Sequence, residues 1–320
     1  MTQFTQRTDE LMGPERLLVP LDGSRLAESV LPTVLRLARG CRARVILLHI
    51  IEQNPPATIH GEPHLMHAGD AQAYLERIAQ RIHGVGIEVE THVHEDGEQN
   101  VAQSIFAHAR ELYSDIVVMC THGQGGLRDL LFGSIAQQAL QRGTQSILLV
   151  LPREDGSAPD FDPRHILVPL DGTAAHEPAL PVALAIARIF AAQLHLAFVI
   201  PTIDTLTGEQ AVPGLLLPTT MKAVLDLAQQ GAEDYLEQAA ARCRSAGVST
   251  DAHVLRGDVT PALLGLAGQL RIDLLVMASH GRTGLDALLK GSVAARITGK
   301  VGRQILLVRA KNAGGKKEGT

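Results

Sequence analysis

The sequence predicts an α/β protein: two tandem doubly wound units, each a five-stranded parallel sheet of order 3-2-1-4-5 flanked by helices. Three observations predict it. The chain writes the same blocks twice in the same order. Short apolar runs alternate with stretches of helical character, the pattern of a parallel sheet with crossover helices. Glycine-punctuated loops follow the same strands in both copies.

The duplication is explicit. "RLLVPLDGSRLAESVLP" at Arg16 returns as "HILVPLDGTAAHEPALP" at His165. "THGQGGLRDLLFGSIAQQAL" at Thr121 returns as "SHGRTGLDALLKGSVAARI" at Ser279, and "QSILLVLP" at Gln145 as "RQILLVRA" at Arg303. So long a period means duplicated domains, not a solenoid of short repeats. A first domain over 1–152, a linker over 153–163, a second domain over 164–310 and a disordered tail over 311–320 follow. The linker is rich in Pro, Gly, Asp and Ser.

In the first unit "RLLVPL" is continuously apolar and short, as a buried parallel strand requires. Ser24 then offers an N-cap for a helix running to about Arg39. "RVILLHII" is the second strand, followed by a helix over about Ala68 to His83. "GIEVETHV" is the third strand, and a helix spans about Glu98 to Leu112. "DIVVMC" is the fourth strand, Gly133 opens the last helix, and "QSILLVL" is the fifth strand. The second unit repeats these strands as "HILVPL", "QLHLAFVI", "GVSTDAHVL", "DLLVMA" and "QILLVR". Pro32 and Pro181 fall inside the first helix of their units, where a kink is expected. The stretch from Pro201 to about Pro218 is a long connection of the kind that forms lids.

Composition narrows the function. The formal net charge is −5, which argues against a dedicated nucleic-acid binder. Aromatic residues make up 3% of the chain, too few for a base-stacking platform. No apolar run reaches membrane-spanning length, and the polar N-terminus lacks a signal-peptide core. The three cysteines, Cys41, Cys120 and Cys243, match no zinc or redox spacing, so a reduced, cytoplasmic setting is expected.

Ligands of open α/β sheets bind beyond the carboxyl ends of the strands, where the winding reverses. Here that point lies between strands one and four. Strand one ends in Asp22-Gly23-Ser24, and strand four in Cys120-Thr121-His122-Gly123. Gly123, nine residues, then Gly133-Ser134 make a loop returning to a helix start. Glycines let backbone approach a ligand closely, and the helix N-terminus offers free N–H groups to an anion. Gly281, Gly291 and Ser292 repeat these parts. Neither loop carries the lysine of a GxxxxGK[ST] phosphate loop, so a hydrolytic nucleotide motor is disfavoured.

The pattern G-x2-G-x9-G-[ST] after strand four, with the aspartate of "VPLDGS", resembles the universal stress protein family. The resemblance covers both units and implies a tandem member with a Rossmann-like fold. It implies ATP, with or without magnesium or manganese, as the ligand. Asp22 and Asp171 would lie beside the nucleoside, and the backbones of Ile50 and Val199 would meet adenine. Gly123, Gly133, Ser134 and Ile135 would line the phosphates in site one, and Gly281, Gly291, Ser292 and Val293 in site two. The family's leading glycine is Cys120 in one copy and Ala278 in the other, so a Cβ narrows both pockets. Ala278 is smaller, which favours site two. The resemblance also implies an intramolecular pseudo-dimer through strand five of each domain, with a homodimer as a further option. Some family members bind no nucleotide. A scaffold without nucleotide and a slow ATP hydrolase therefore stand beside the regulatory ATP-binding reading.

His60, His64 and His67 are spaced for metal binding, but no cysteine joins them and the second copy lacks them. They are read as an exposed loop, with no metal assigned.

Overall fold

A computed structural model describes residues 13–98, 100–121, 135–136, 138, 145–153, 157, 160–206, 217–279 and 304–309. The first unit runs β1 (Arg16–Pro20), α1 (Arg25–Glu28), α2 (Leu31–Cys41), β2 (Arg44–Glu52), a small hairpin of β3 (Thr58–Ile59) and β4 (Glu62–Pro63), and α3 (Ala68–His83). It continues with β5 (Val89–Glu98), α4 (Val101–Glu111), β6 (Ile116–Cys120) and β7 (Ser146–Val150). The second runs β8 (His165–Pro169), α5 (Ala179–Phe190), β9 (Gln193–Ile200) and a 3-10 turn at Ile203–Thr205. It ends with α6 (Pro218–Ser245), β10 (Thr250–Arg256), α7 (Val259–Gln269), β11 (Leu274–Ser279) and β12 (Gln304–Arg309).

All strands but the hairpin join one sheet of order β10-β9-β8-β11-β12-β7-β6-β1-β2-β5. Within each unit the neighbours are parallel and the order is third, second, first, fourth, fifth. At the centre β12 meets β7 antiparallel, with Ile305 opposite Leu149, Leu306 opposite Leu148 and Leu307 opposite Ile147. The pairing gives two apolar strand edges a partner in each other, and so removes an exposed edge.

Both faces of the sheet are covered by helices, so the central strands carry apolar side chains on both sides. Leu148 and Leu306 belong to the core on one face. Ile147, Leu149, Ile305 and Leu307 belong to the core on the other. Each core draws residues from both units and runs through the seam unbroken. The helices α2 and α5 also meet across it. A Cβ on Gly40 would lie 2.7 Å from Ile189 Cγ2, so a side chain there would force the helices apart.

The prolines do not kink a helix. The expected helix from Ser24 breaks after Glu28, and Pro32 sits in the first turn of α2. Pro181 is likewise the third residue of α5. First-turn amides have no helical acceptor, so the missing N–H costs nothing there. The third strand also begins and ends later than expected, because β5 follows β2 as far as a Glu52–Glu98 pair beyond a register irregularity. The units differ most after their second strands. The first has the hairpin and the 16-residue α3, the second the 28-residue α6. Residues 207–216 of the long connection lie outside the described residues. Among the described residues no helix is long and apolar enough to cross a membrane.

Candidate functional site

The site grows from the end of β1. Beyond Pro20, Leu21 N donates to Leu48 O at 2.9 Å and ends the pairing with β2. Asp22 then turns the chain. Its Oδ1 accepts from Ser24 N at 2.9 Å and from Ser24 Oγ at 2.7 Å. Ser24 Oγ in turn accepts from Ala27 N at 3.1 Å and caps α1. Gly23 makes the turn with φ +93°, where an added Cβ would lie 2.9 Å from Leu65 Cδ1. Gly23→Ala is expected to cost about 1–2 kcal/mol, the penalty of positive φ for an L residue. Urea unfolding measures it, and an unchanged midpoint would contradict the strain.

This turn forms one wall of a cleft that encloses about 80 Å³. Ile50 lies two residues past the last β1–β2 pair, Pro20 with Leu48, so its β1-side edge faces the cleft while its other edge pairs with His94 of β5. Cys120, ending β6, lies across the cleft from Asp22. Burial, helped by the Asp22 charge, pushes its thiol up to about 12. Ile135 closes the far side.

The hairpin covers the cleft. His60 (φ 51°) and Gly61 (φ 83°) form its two-residue turn, both left-handed as the tight hairpin requires. Glu62 accepts from Arg25 N at 2.6 Å and ties the hairpin to α1. His60 Nε2 stands 4.0 Å from Asp22 Oδ2, and His64 Nε2 stands 3.8 Å from Glu52 Oε1. His49, buried on β2, holds Leu21 O with Nδ1 at 2.7 Å, so Nδ1 is the protonated nitrogen. Burial lowers its pKa and keeps the ring neutral. His49 Nε2 and His64 Nδ1 are buried without a hydrogen-bond partner among the described residues. Such atoms mark places for a water or a ligand's polar group. His49 was legible only as one polar residue in "RVILLHII". His64 belonged to the histidine-rich stretch read as an exposed loop, yet it is buried under the hairpin.

The second unit repeats the turn with a difference. Asp171 Oδ1 accepts from Thr173 N at 2.9 Å and Oγ1 at 2.6 Å, while Oδ2 meets His176 Nδ1 at 2.8 Å. Burial opposes its ionisation, but the Thr173 hydrogen bonds and His176 outweigh this and hold the pKa low. Val199 lies two residues past the last β8–β9 pair, as Ile50 does in site one. Ala278, the counterpart of Cys120, is buried in β11. Asp22, Ile50 and Ile135 thus surround one cleft, and Asp171 and Val199 occupy the matching strand ends. Gly123, Gly133, Ser134, Gly281, Gly291, Ser292 and Val293 lie outside the described residues, as do His122 and His280.

Two 3-2-1-4-5 units, each with its switch point between the first and fourth strands, define a tandem Rossmann-like α/β protein. Residues 14–150 and again 163–309 match the universal stress protein family. The chain belongs to that family, as a member with two copies in tandem. Universal stress protein MJ0531 of Methanocaldococcus jannaschii is 25% identical over 146 residues, which cover 46% of this chain and 82% of the relative. Universal stress protein Sll1654 of Synechocystis is 30% identical over 135 residues, 42% of this chain and 83% of the relative. The crystal structure of a universal stress protein from Archaeoglobus fulgidus shares the fold, with a TM-score of 0.63 at 14% identity. It covers 94% of this chain and 98% of its own.

Proposed function

We propose that the chain is a regulatory protein that binds an adenine nucleotide, ATP, at the β1/β6 switch point. The observation that carries this is the convergence of Asp22, the edge of β2 at Ile50 and two unanswered buried ring nitrogens on one cleft. Asp22 has one oxygen held by Ser24, which leaves Oδ2 for a ligand hydroxyl. The unpartnered ring nitrogens suit further polar atoms of a nucleoside. The phosphates are assigned to the stretch from Gly123 to Ile135, where sequence places a glycine loop and a helix start. Glu52 on the cleft wall and Glu62 on the hairpin above it add negative charge to that of a polyphosphate. Magnesium or manganese bound with the nucleotide would offset this charge; its ligands are not assigned. Site one is the stronger candidate, because His176 occupies the second oxygen of Asp171 in site two.

Calorimetry with ATP tests the reading. Asp22→Ala is expected to weaken binding at site one tenfold or more, about 1.4 kcal/mol. Cys120→Gly is expected to strengthen it by opening the cleft floor. Absence of ATP binding by the native chain, together with no nucleotide carried through purification, would leave the scaffold reading. Release of ADP over time, lost in Asp22→Ala, would favour the hydrolase.

A further inference from the structure

A second cluster of titratable side chains lies away from the cleft, in the amino-terminal half of β9. On the sheet face covered by α7, His165, His195 and His253 stand in a row across β8, β9 and β10. His165 Nδ1 is 3.1 Å from His195 Nε2. His195 Nδ1 is 3.3 Å from His253 Nε2 and 3.8 Å from Asp251 Oδ2. Gln193 Nε2 donates to the same Asp251 oxygen at 2.7 Å and holds the carboxylate in place.

We propose that His195 Nδ1, His253 Nε2 and the Asp251 carboxylate form a binding site for a divalent transition-metal ion of the zinc class. Their ligand atoms lie within 4.8 Å of one another. Two ligands about 2.0–2.1 Å from a tetrahedral zinc lie roughly 3.3 Å apart, the separation of the two imidazole nitrogens here. The carboxylate, 3.8 Å from His195 Nδ1, would draw in towards both imidazoles as the ion binds. Two imidazoles and one carboxylate are ligands of the type zinc takes, with a fourth position left for water.

His165 is a positioning residue. A metal-bound imidazole ordinarily passes its other N–H to an acceptor, which fixes the tautomer. Here His195 Nε2–H donates to His165 Nδ1, leaving the lone pair on His195 Nδ1 for the ion. Asp251 is exposed on β10, an edge strand of the sheet, so an ion reaches the site from solvent.

The site belongs to the second unit alone. The strand pairing matches His195 with Asp251, as it matches Ile46 with Glu90 in the first unit. An isoleucine therefore stands where the central imidazole would be. The ion would tie the edge strand β10 to β9.

The test uses the full, untagged chain stripped of metal with EDTA. Zinc is expected to bind at one ion per chain and raise the melting temperature, and cobalt(II) in its place should give visible d–d absorption. Asp251→Asn and His195→Ile should each weaken zinc affinity by at least about 10-fold, the low end of what loss of an outer-shell partner alone costs, the second substitution copying a residue the first unit already tolerates. Should His195→Ile fail to fold, Asp251→Asn and His253→Ala, both near the edge, decide the matter. The double variant His60→Ala, His64→Ala should keep full uptake, which separates this site from the histidines of the cleft. Absence of zinc uptake by the native chain, or undiminished affinity in Asp251→Asn, overturns the proposal.

Discussion

Leu148→Ala is expected to lower the free energy of unfolding by about 3 kcal/mol, and Leu306→Ala by a similar amount. These two residues face each other across the antiparallel seam, and each is 1% exposed. Removing either side chain deletes buried methyl groups and leaves a cavity that strands held on both sides cannot collapse to fill. The two losses should not add, because both variants enlarge the same space; a coupling of about 0.5–3 kcal/mol is expected. Leu306→Asp should be worse, since a carboxylate buried in this core has no partner. Urea unfolding of the full chain measures all four proteins. A loss below about 1 kcal/mol for each alanine variant would mean that the seam contributes little to stability.

The second large effect is chemical. Cys41 and Cys120 should be close to inert toward alkylating reagents in the folded chain. Burial pushes both thiols from an ordinary 9.0 up to about 12, with the Asp22 charge adding to the effect at Cys120. The thiolate is the reactive form, so at pH 8 a shift of this size cuts its population by about a thousandfold. Iodoacetamide labelling followed by peptide mass spectrometry should show both residues modified hundreds of times more slowly in native than in denatured protein. The shift also carries a stability consequence. Above pH 9 the unfolded chain releases thiol protons that the folded chain keeps until near pH 12. Stability should therefore fall as pH rises through that window. Rapid native labelling of Cys120 would show that the cleft floor is open to solvent and its thiol ordinary.

Much of the architecture was legible because it is carried by local pattern and by repetition. "RLLVP" and "HILVP" are buried on both faces, and a short continuous apolar run with a turn behind it has few other places to go. Asp22-Gly23-Ser24 was readable as a turn into a helix because Ser24 caps by a contact only three residues long. The stretch beyond it forms two helices, α1 and α2, and not one. Whether Pro32 kinks a helix or starts one depends on where the chain breaks, which here is after Glu28.

The cleft was legible on the side built from strand ends and illegible on the side built by the hairpin. "HGEPHLMH" looks like a polar loop, yet its His-Gly turn folds β3 and β4 back over the cleft and buries His64. The histidine row of the second unit left still less trace. His165, His195 and His253 are isolated residues in three different strands, and the register between those strands joins them.

The amino-acid order alone settles the duplicated α/β plan, the strand identities and the aspartate turn at each switch point. These rest on interactions within a few residues or on a pattern written twice. Packing over long range settles which polar atoms share a cleft, where the hairpin lies and which imidazoles face one another. Those outcomes depend on strand register and on how elements far apart in the chain close upon each other, and no short window of sequence contains them.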